Sequence, residues 1–280
     1  MKILITGARG MAGTALCKQL KEHTLLTPLR HELNVSNFNQ VMKFKDVGAS
    51  IIVHLAAETD HEYCEENPSQ CYFVNTIGTA NMCKLALTTN AKFIYASAGS
   101  IFDGTTQEPY TAHADFPNPM NHYNSSKHYG ELIARDYHNT YIIRAGWMFG
   151  GGDKVDKKFV NKLITKIRRG DKQIKVCDDC IGSPTYTEDY ALFIKEIIDC
   201  QHIPETYHCV NDSQGISRYD FALKVVKALG ADVEIVPCKI DDLKDEFPCK
   251  RTNYEVLESD YKCRSLDEAI TEYINEHYRH

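Results

Sequence analysis

No apolar run in these 280 residues reaches the roughly 18 needed to cross a bilayer, so no membrane partner is expected. Met1-Lys2 leads into a strand pattern instead of an export signal. Long runs of one charge are missing too, and a net charge of −6 argues against a general nucleic-acid or anionic-membrane surface. There is no internal repeat and no low-complexity linker. Cysteine is not scarce: eleven are scattered through a chain with ample core and no export signal, which predicts reduced thiols and a cytoplasmic protein. Cys177 and Cys180 form a CxxC, but a structural zinc site wants two more ligands and no second pair follows, so no metal is expected.

What is present begins at once. Met1 to Gly13 reads as a buried strand through Ile3, Leu4 and Ile5, followed by three glycines spaced three apart and a helical pattern at Leu16 and Leu20. Gly7 can make the tight turn, Gly10 leaves room for a pyrophosphate near the backbone, and Gly13 lets the first helix pack against the sheet. Phosphates would then face a helix N-terminus, whose free N–H groups attract anions. Glycine-rich turns also arise for structural reasons, and it is the strand before and the helix after that point to a dinucleotide.

A second strand over His23 to Leu29 ends at Arg30. That residue, with Arg9 in the glycine loop, can pair with a 2′-phosphate, so NADP(H) is favoured. Two solvated surface arginines are the plainer alternative, and Glu32 keeps NAD(H) open. Ser36 to Lys45 can make a helix. Ile51 to Val53 makes a third strand running into Ala56 and Ala57, small enough for close cofactor approach, with His54 read as a packed residue. Tyr72 to Leu87 has helical spacing, and Asn75 within it can bond neighbouring loop backbone. Lys92 to Ser97 supplies strand four, and Gly99 to Met120 a loop over the site.

Asn121 to His138 reads as a helix that places Tyr123 and Lys127 on one face, a turn apart. An ammonium beside a phenol can make it a usable proton shuttle, and the lysine can also reach the nicotinamide ribose. Tyr141 to Ala145, the helix Phe159 to Arg169, strand Tyr207 to Val210 and a capping box at Ser217-Arg-Tyr-Asp220 opening a helix closed by Gly230 complete the outline.

GARGMAG, His54 to Ala57, the YNSSK of Tyr123 to Lys127, and Arg144 to Gly150 together resemble the extended short-chain dehydrogenases/reductases. The similarity is greatest to the sugar-nucleotide 4-reductases, and it continues through Ser97 to Gly104, Gly182 to Tyr186 and Arg251 to Asn253. The resemblance implies an α/β Rossmann-type doubly wound parallel sheet with a smaller C-terminal substrate-binding lobe. Residues 1–150 would form the dinucleotide-binding domain, rejoined by 182–230, with 151–181 and 231–280 as the lobe. It implies hydride delivery to C4 of a nucleotide-linked 4-keto-6-deoxy sugar, with Tyr123 as proton donor and Lys127 supporting it. The nucleotide sugar is then the partner, and a homodimer through the helices of Asn75 and Tyr123 is allowed.

Candidate cofactor contacts are Gly7, Arg9, Gly10, Met11, Gly13 and Arg30, then Ala56, Ala57, Thr59 and Asn75, with Tyr123 and Lys127. The family's strand-four Ser or Thr is missing, Ala98 standing in its place. Ser97 and Ser100 are the replacements, Ser100 preferred because it would share Ala98's face on an extended chain; a serine satisfying loop backbone is the alternative. On the substrate side are Ser97, Trp147, whose face could stack on the base or sugar or simply pack in the core, and Arg251, which could grip a diphosphate or form a surface ion pair. Gly99 and Ser100 occupy the places where dehydratase relatives carry an Asp-Glu pair, which disfavours dehydration. A regulatory subunit that binds nucleotide without turnover and a bifunctional 3,5-epimerase/4-reductase are the alternatives.

Overall fold

In the computed structural model, which describes residues 1–245 and 247–279, the Ile3-Leu4-Ile5 run becomes an interior strand of a six-stranded sheet, one in from its edge. The strands are β1 (Lys2–Thr6), β2 (Thr24–Leu26), β3 (Ile51–His54), β4 (Lys92–Ala98), β5 (Thr140–Ala145) and β6 (Thr206–Cys209), in the order β6-β5-β4-β3-β1-β2. Every pairing is parallel. The order reverses between β1 and β3, and that switch opens a crevice beyond their C-terminal ends.

Both faces are buried because strand side chains alternate. Ile3, Ile5, Ile51, Val53, Ile94 and Ile143 point into one core with Leu16 and Ile194, from the helices Met11–Gln19 and Thr187–Asp199. Leu4, Ile52, Phe93 and Ile142 point into the other with Met82, Leu85 and Ala134, from the helices Gly78–Thr89 and His122–Arg135. Among the described residues no helix is long and apolar enough to cross a membrane.

A third core holds Trp147, Phe149, Leu163, Ile164, Phe221, Val225, Ile270 and Tyr273. It gathers the helices Phe159–Arg168, Arg218–Leu229 and Leu266–His277 and the parallel pair Gln173–Cys177 with Glu234–Cys238. The helix after Ser217 packs in this core and not beneath the sheet, where 182–230 was expected to return as a whole; Phe221, Ala222 and Val225 are its apolar stripe and face the lobe. Thr187–Asp199 and β6 do join the sheet. At the helix start Ser217 Oγ accepts from Asp220 N–H at 2.9 Å, and Gly230, at φ +65°, closes it.

Two segments depart from simple periodicity. The second strand shrinks to Thr24–Leu26. The predicted helix from Tyr72 is interrupted by a π turn, Phe73–Ile77, between Pro68–Tyr72 and Gly78–Thr89. Such turns insert one residue into the ladder and redirect a side chain, here Asn75, which is buried.

Candidate active site

The glycine turn leaves β1 at Gly7, whose φ of +70° and lack of a side chain are both needed: a Cβ would stand 2.8 Å from Ala56 N. At Gly13 a Cβ would lie 2.3 Å from Gly7 O. The third glycine therefore lets the helix close onto the loop's own backbone, not onto the sheet as expected. Gly10 is different. The nearest atom to a Cβ there is Gly7 O at 3.3 Å, and no side chain caps the helix it opens. An exposed, uncapped helix start with no side chain over it can cradle an anion.

Around this turn Thr6 Oγ1 accepts from Ala56 N–H at 3.2 Å and bonds His54 Nδ1 at 2.7 Å. His54 stacks on Phe93 and Tyr95, and burial, aided by Lys127, pushes it down to about 3; it is a neutral packed residue. Arg9, Arg30 and Thr59 are exposed, and Met11, Ala56 and Ala57 half-buried along the same rim. Glu32 turns its carboxylate inward to accept from Leu29 N–H at 2.6 Å.

Tyr123 and Lys127 sit in the helix His122–Arg135, whose start is capped by Asn121 Oδ1 accepting from Asn124 N–H at 2.8 Å. Lys127 Nζ donates to Ala96 O at 2.6 Å and lies 4.3 Å from the centre of the Tyr95 ring. Burial lowers its ammonium to about 7, only partly opposed by the Glu131 carboxylate. Burial also raises Tyr123 well above an ordinary phenol, with the Cys64 and Cys71 thiols adding to it. Lys127 is thus spent on Ala96 and Tyr95, and Tyr123 is held protonated. Asn75 Oδ1 accepts from Glu58 N–H at 2.8 Å, and its amide donates to Glu58 O at 3.0 Å and Ser126 Oγ at 2.9 Å. This clamps the loop after β3 to the tyrosine helix.

The strand-four end is where the sequence expectation fails in detail. The chain does not stay extended: Gly99–Ile101 is a 3₁₀ turn, so alternation does not put Ser100 on Ala98's face. Ser100 Oγ instead donates to Asn124 Oδ1 at 2.8 Å, one residue from Tyr123. Ala98 packs against Tyr123 with Cys64 and Cys71. Ser97 is buried beside Glu131, which carries the bidentate pair from Arg144 at 2.9 and 2.8 Å.

The other wall comes from the lobe. Trp147 is buried in the lobe core, donates its indole N–H to Glu255 and carries the Arg218 guanidinium 3.5 Å above its ring. Arg251 pairs with Glu62 at 2.6 Å, and Lys158 Nζ donates to Thr59 O at 2.9 Å and Thr59 Oγ1 at 3.1 Å. Between these cations lies His61, its ring centre 4.4 Å from that of Tyr123. Burial first, then Arg251, Lys158 and Arg218, push it down to about 3, so it is neutral. His61, Lys158, Arg218 and Glu255 escaped the sequence reading because no motif they share joins them: Arg218 lies in the Ser217–Asp220 capping box and Glu255 four residues beyond Arg251, and neither position signals a site.

The chain matches the family model described as RmlD substrate binding domain over residues 1–276. It is 32% identical over 277 residues to a dTDP-4-dehydrorhamnose reductase of Mycolicibacterium smegmatis, covering 96% of this chain and 81% of that one. Among solved structures, a dTDP-4-dehydrorhamnose reductase of Clostridium acetobutylicum superposes with a TM-score of 0.90 at 32% identity, covering 99% of both chains. The enzyme of that name from Bacillus anthracis, solved in complex with NADP, gives 0.89 at 28% identity, covering 98% of this chain and 99% of that one.

Proposed function

The chain belongs to the RmlD substrate-binding-domain family of sugar-nucleotide reductases, and from that premise we propose that it reduces dTDP-4-dehydrorhamnose or a close 4-keto-6-deoxy relative with NADPH. The observation that carries this is the placement of Tyr123 in a switch-point crevice between the glycine turn and a cationic lobe wall.

The glycine turn and its uncapped helix start fit the pyrophosphate of a dinucleotide, with Arg9 and Arg30 on the rim for a 2′-phosphate. NADPH supplies the hydride that C4 receives. Tyr123 hands its phenolic proton to the C4 oxygen; because burial keeps the phenol protonated at neutral pH, it is charged for this direction of reaction. Lys127 is held one turn away, ready to exchange its Ala96 bond for a ribose hydroxyl. Asn75 fixes the loop that positions the ring. Ser100, which bonds Asn124 beside Tyr123, is the hydroxyl we assign to the role that Ala98 lacks. On the lobe side, Arg251, Arg218 and Lys158 give the positive field that a sugar diphosphate requires, and Trp147 lends a rigid wall.

We place the protein in the cytoplasm, in keeping with its unpaired cysteines. Phe73, Ile77, Leu87, Tyr129 and Leu132 leave an apolar, roughly half-exposed surface on the Asn75 and Tyr123 helices, which supports a homodimer there. Light scattering reads its mass.

Mixing the protein with NADPH and dTDP-4-dehydrorhamnose tests the reading. Loss of reduced-nicotinamide absorbance is expected. Ala98 against Tyr123 favours one other reading, a nucleotide-binding regulatory subunit, which predicts cofactor binding with no oxidation.

A further inference from the structure

Remote from the glycine turn, the strand Gln173–Cys177 ends in the turn Cys177-Asp178-Asp179-Cys180. The two sulfurs and a carboxylate oxygen of Asp179 lie within 4.8 Å of one another. Cys177 and Cys180 are buried, and Cys238 stands directly across from Cys177 in the parallel pair, so its side chain leaves the same face. The turn is held from several sides: Ile240 N–H donates to Asp179 Oδ1 at 2.9 Å, Asp178 N–H donates to Cys238 O at 3.0 Å, and Lys239 Nζ pairs with Asp178 at 2.8 Å. Sequence alone offered two ligands; the fold adds a carboxylate.

We propose that Cys177, Asp179 and Cys180 bind a thiophilic divalent cation of the zinc class, with water as the fourth tetrahedral ligand. The chemistry suits it. Two sulfurs and a carboxylate are ordinary zinc donors, and the Ile240 bond orients the carboxylate as an outer-shell partner does. Binding replaces two S–H bonds with two S–metal bonds and releases two protons to solvent. Two thiolates, one carboxylate and a dication sum to one negative charge, which the neighbouring Arg218 guanidinium balances. The ion also has a structural consequence. Arg218 N–H donates to Cys180 O at 3.0 Å, so fixing this turn fixes the residue that stacks on Trp147. This inference stands independently of the reaction proposed above.

The test uses the reduced full chain, loaded with zinc, passed through a desalting column and assayed by mass spectrometry for metal. One zinc per chain is expected in the wild type and in the Cys200→Ser control, and none in the Cys177→Ser/Cys180→Ser double variant. Asp179→Asn should bind at least about tenfold more weakly. If the double variant does not fold, alkylation mapping of the wild type decides: zinc should shield Cys177 and Cys180 and leave Cys200 open. A wild type that retains no zinc, a double variant that keeps it, shielding of other thiols, or a Cys177–Cys180 disulfide in place of metal overturns the proposal.

Discussion

The two walls of the crevice are made in different ways. The sheet wall takes its functional groups from short continuous runs: Gly7 to Gly13 in one turn, Tyr123 and Lys127 in one helix, each delivered to the sheet's C-terminal edge by the strand before it. The lobe wall takes Trp147, Lys158, Arg218 and the pair Arg251 and Glu255 from four segments that only tertiary packing brings together. The sheet wall is thus a local property of the chain, and the lobe wall a property of the folded molecule. Chemistry should be lost by single changes on the first, and selectivity adjusted by single changes on the second.

The largest effect belongs to the sheet wall. Tyr123→Phe removes the proposed proton donor without touching the glycine turn, so turnover should fall by about 10²–10⁴-fold while NADPH still binds, read by steady-state kinetics beside a cofactor titration. Wild-type turnover in this variant would place the acid on the lobe side and reverse the comparison.

Next comes the bond between that wall and its support. Arg144 and Glu131 are fully buried and bidentate, tying β5 to the tyrosine helix. Arg144→Met leaves the buried Glu131 carboxylate with only the half-exposed Arg135, at 3.2 Å, and should cost about 3 kcal/mol in denaturant unfolding. An exposed pair such as Arg168–Asp153 offers the contrast, at roughly 0–1 kcal/mol.

Lys127 gives a pH signature. It titrates near about 7 in the folded chain and near about 10.4 when unfolded, so between those values the unfolded chain holds the extra proton and stability rises with pH. The slope from this group is at most about 1.4 kcal/mol per pH unit. Lys127→Met should remove that rise, which unfolding curves across pH would detect.

The smallest effect is on the lobe. Arg251→Ala should weaken sugar-nucleotide binding about tenfold or more, the loss of one charge-assisted contact of roughly 1.5–3 kcal/mol, and leave NADPH affinity unchanged. A drop in kcat at constant KM would contradict its role as a gripping residue.

The same contrast explains what could be read from the chain beforehand. Ile3 to Ile5 and Ile51 to Val53 are legible as strands because period-two burial on both faces leaves a continuous apolar run. Tyr123 and Lys127 are legible because helix geometry alone puts them together. Gly13 was recognised but given the wrong neighbour, since only coordinates tell loop from sheet behind it. An extended chain would put Ser100 on Ala98's face, but a 3₁₀ turn at Gly99–Ile101 takes its place, and alternation along a strand carries no sign of where the strand stops. The helix Arg218–Leu229 was read correctly as a helix and set against the wrong core, because an apolar stripe states that a face is buried without stating by what. His61 carried no local signal; its meaning arises only where Tyr123 and three cations from distant segments surround it.

The most direct measurement follows the hydride. Turnover of dTDP-4-dehydrorhamnose with NADPH deuterated at the transferable position, followed by NMR of the sugar, should place a single deuterium at C4 and none elsewhere. A product without the label, or with it at another carbon, would contradict a reductase whose crevice holds C4 between the nicotinamide and Tyr123.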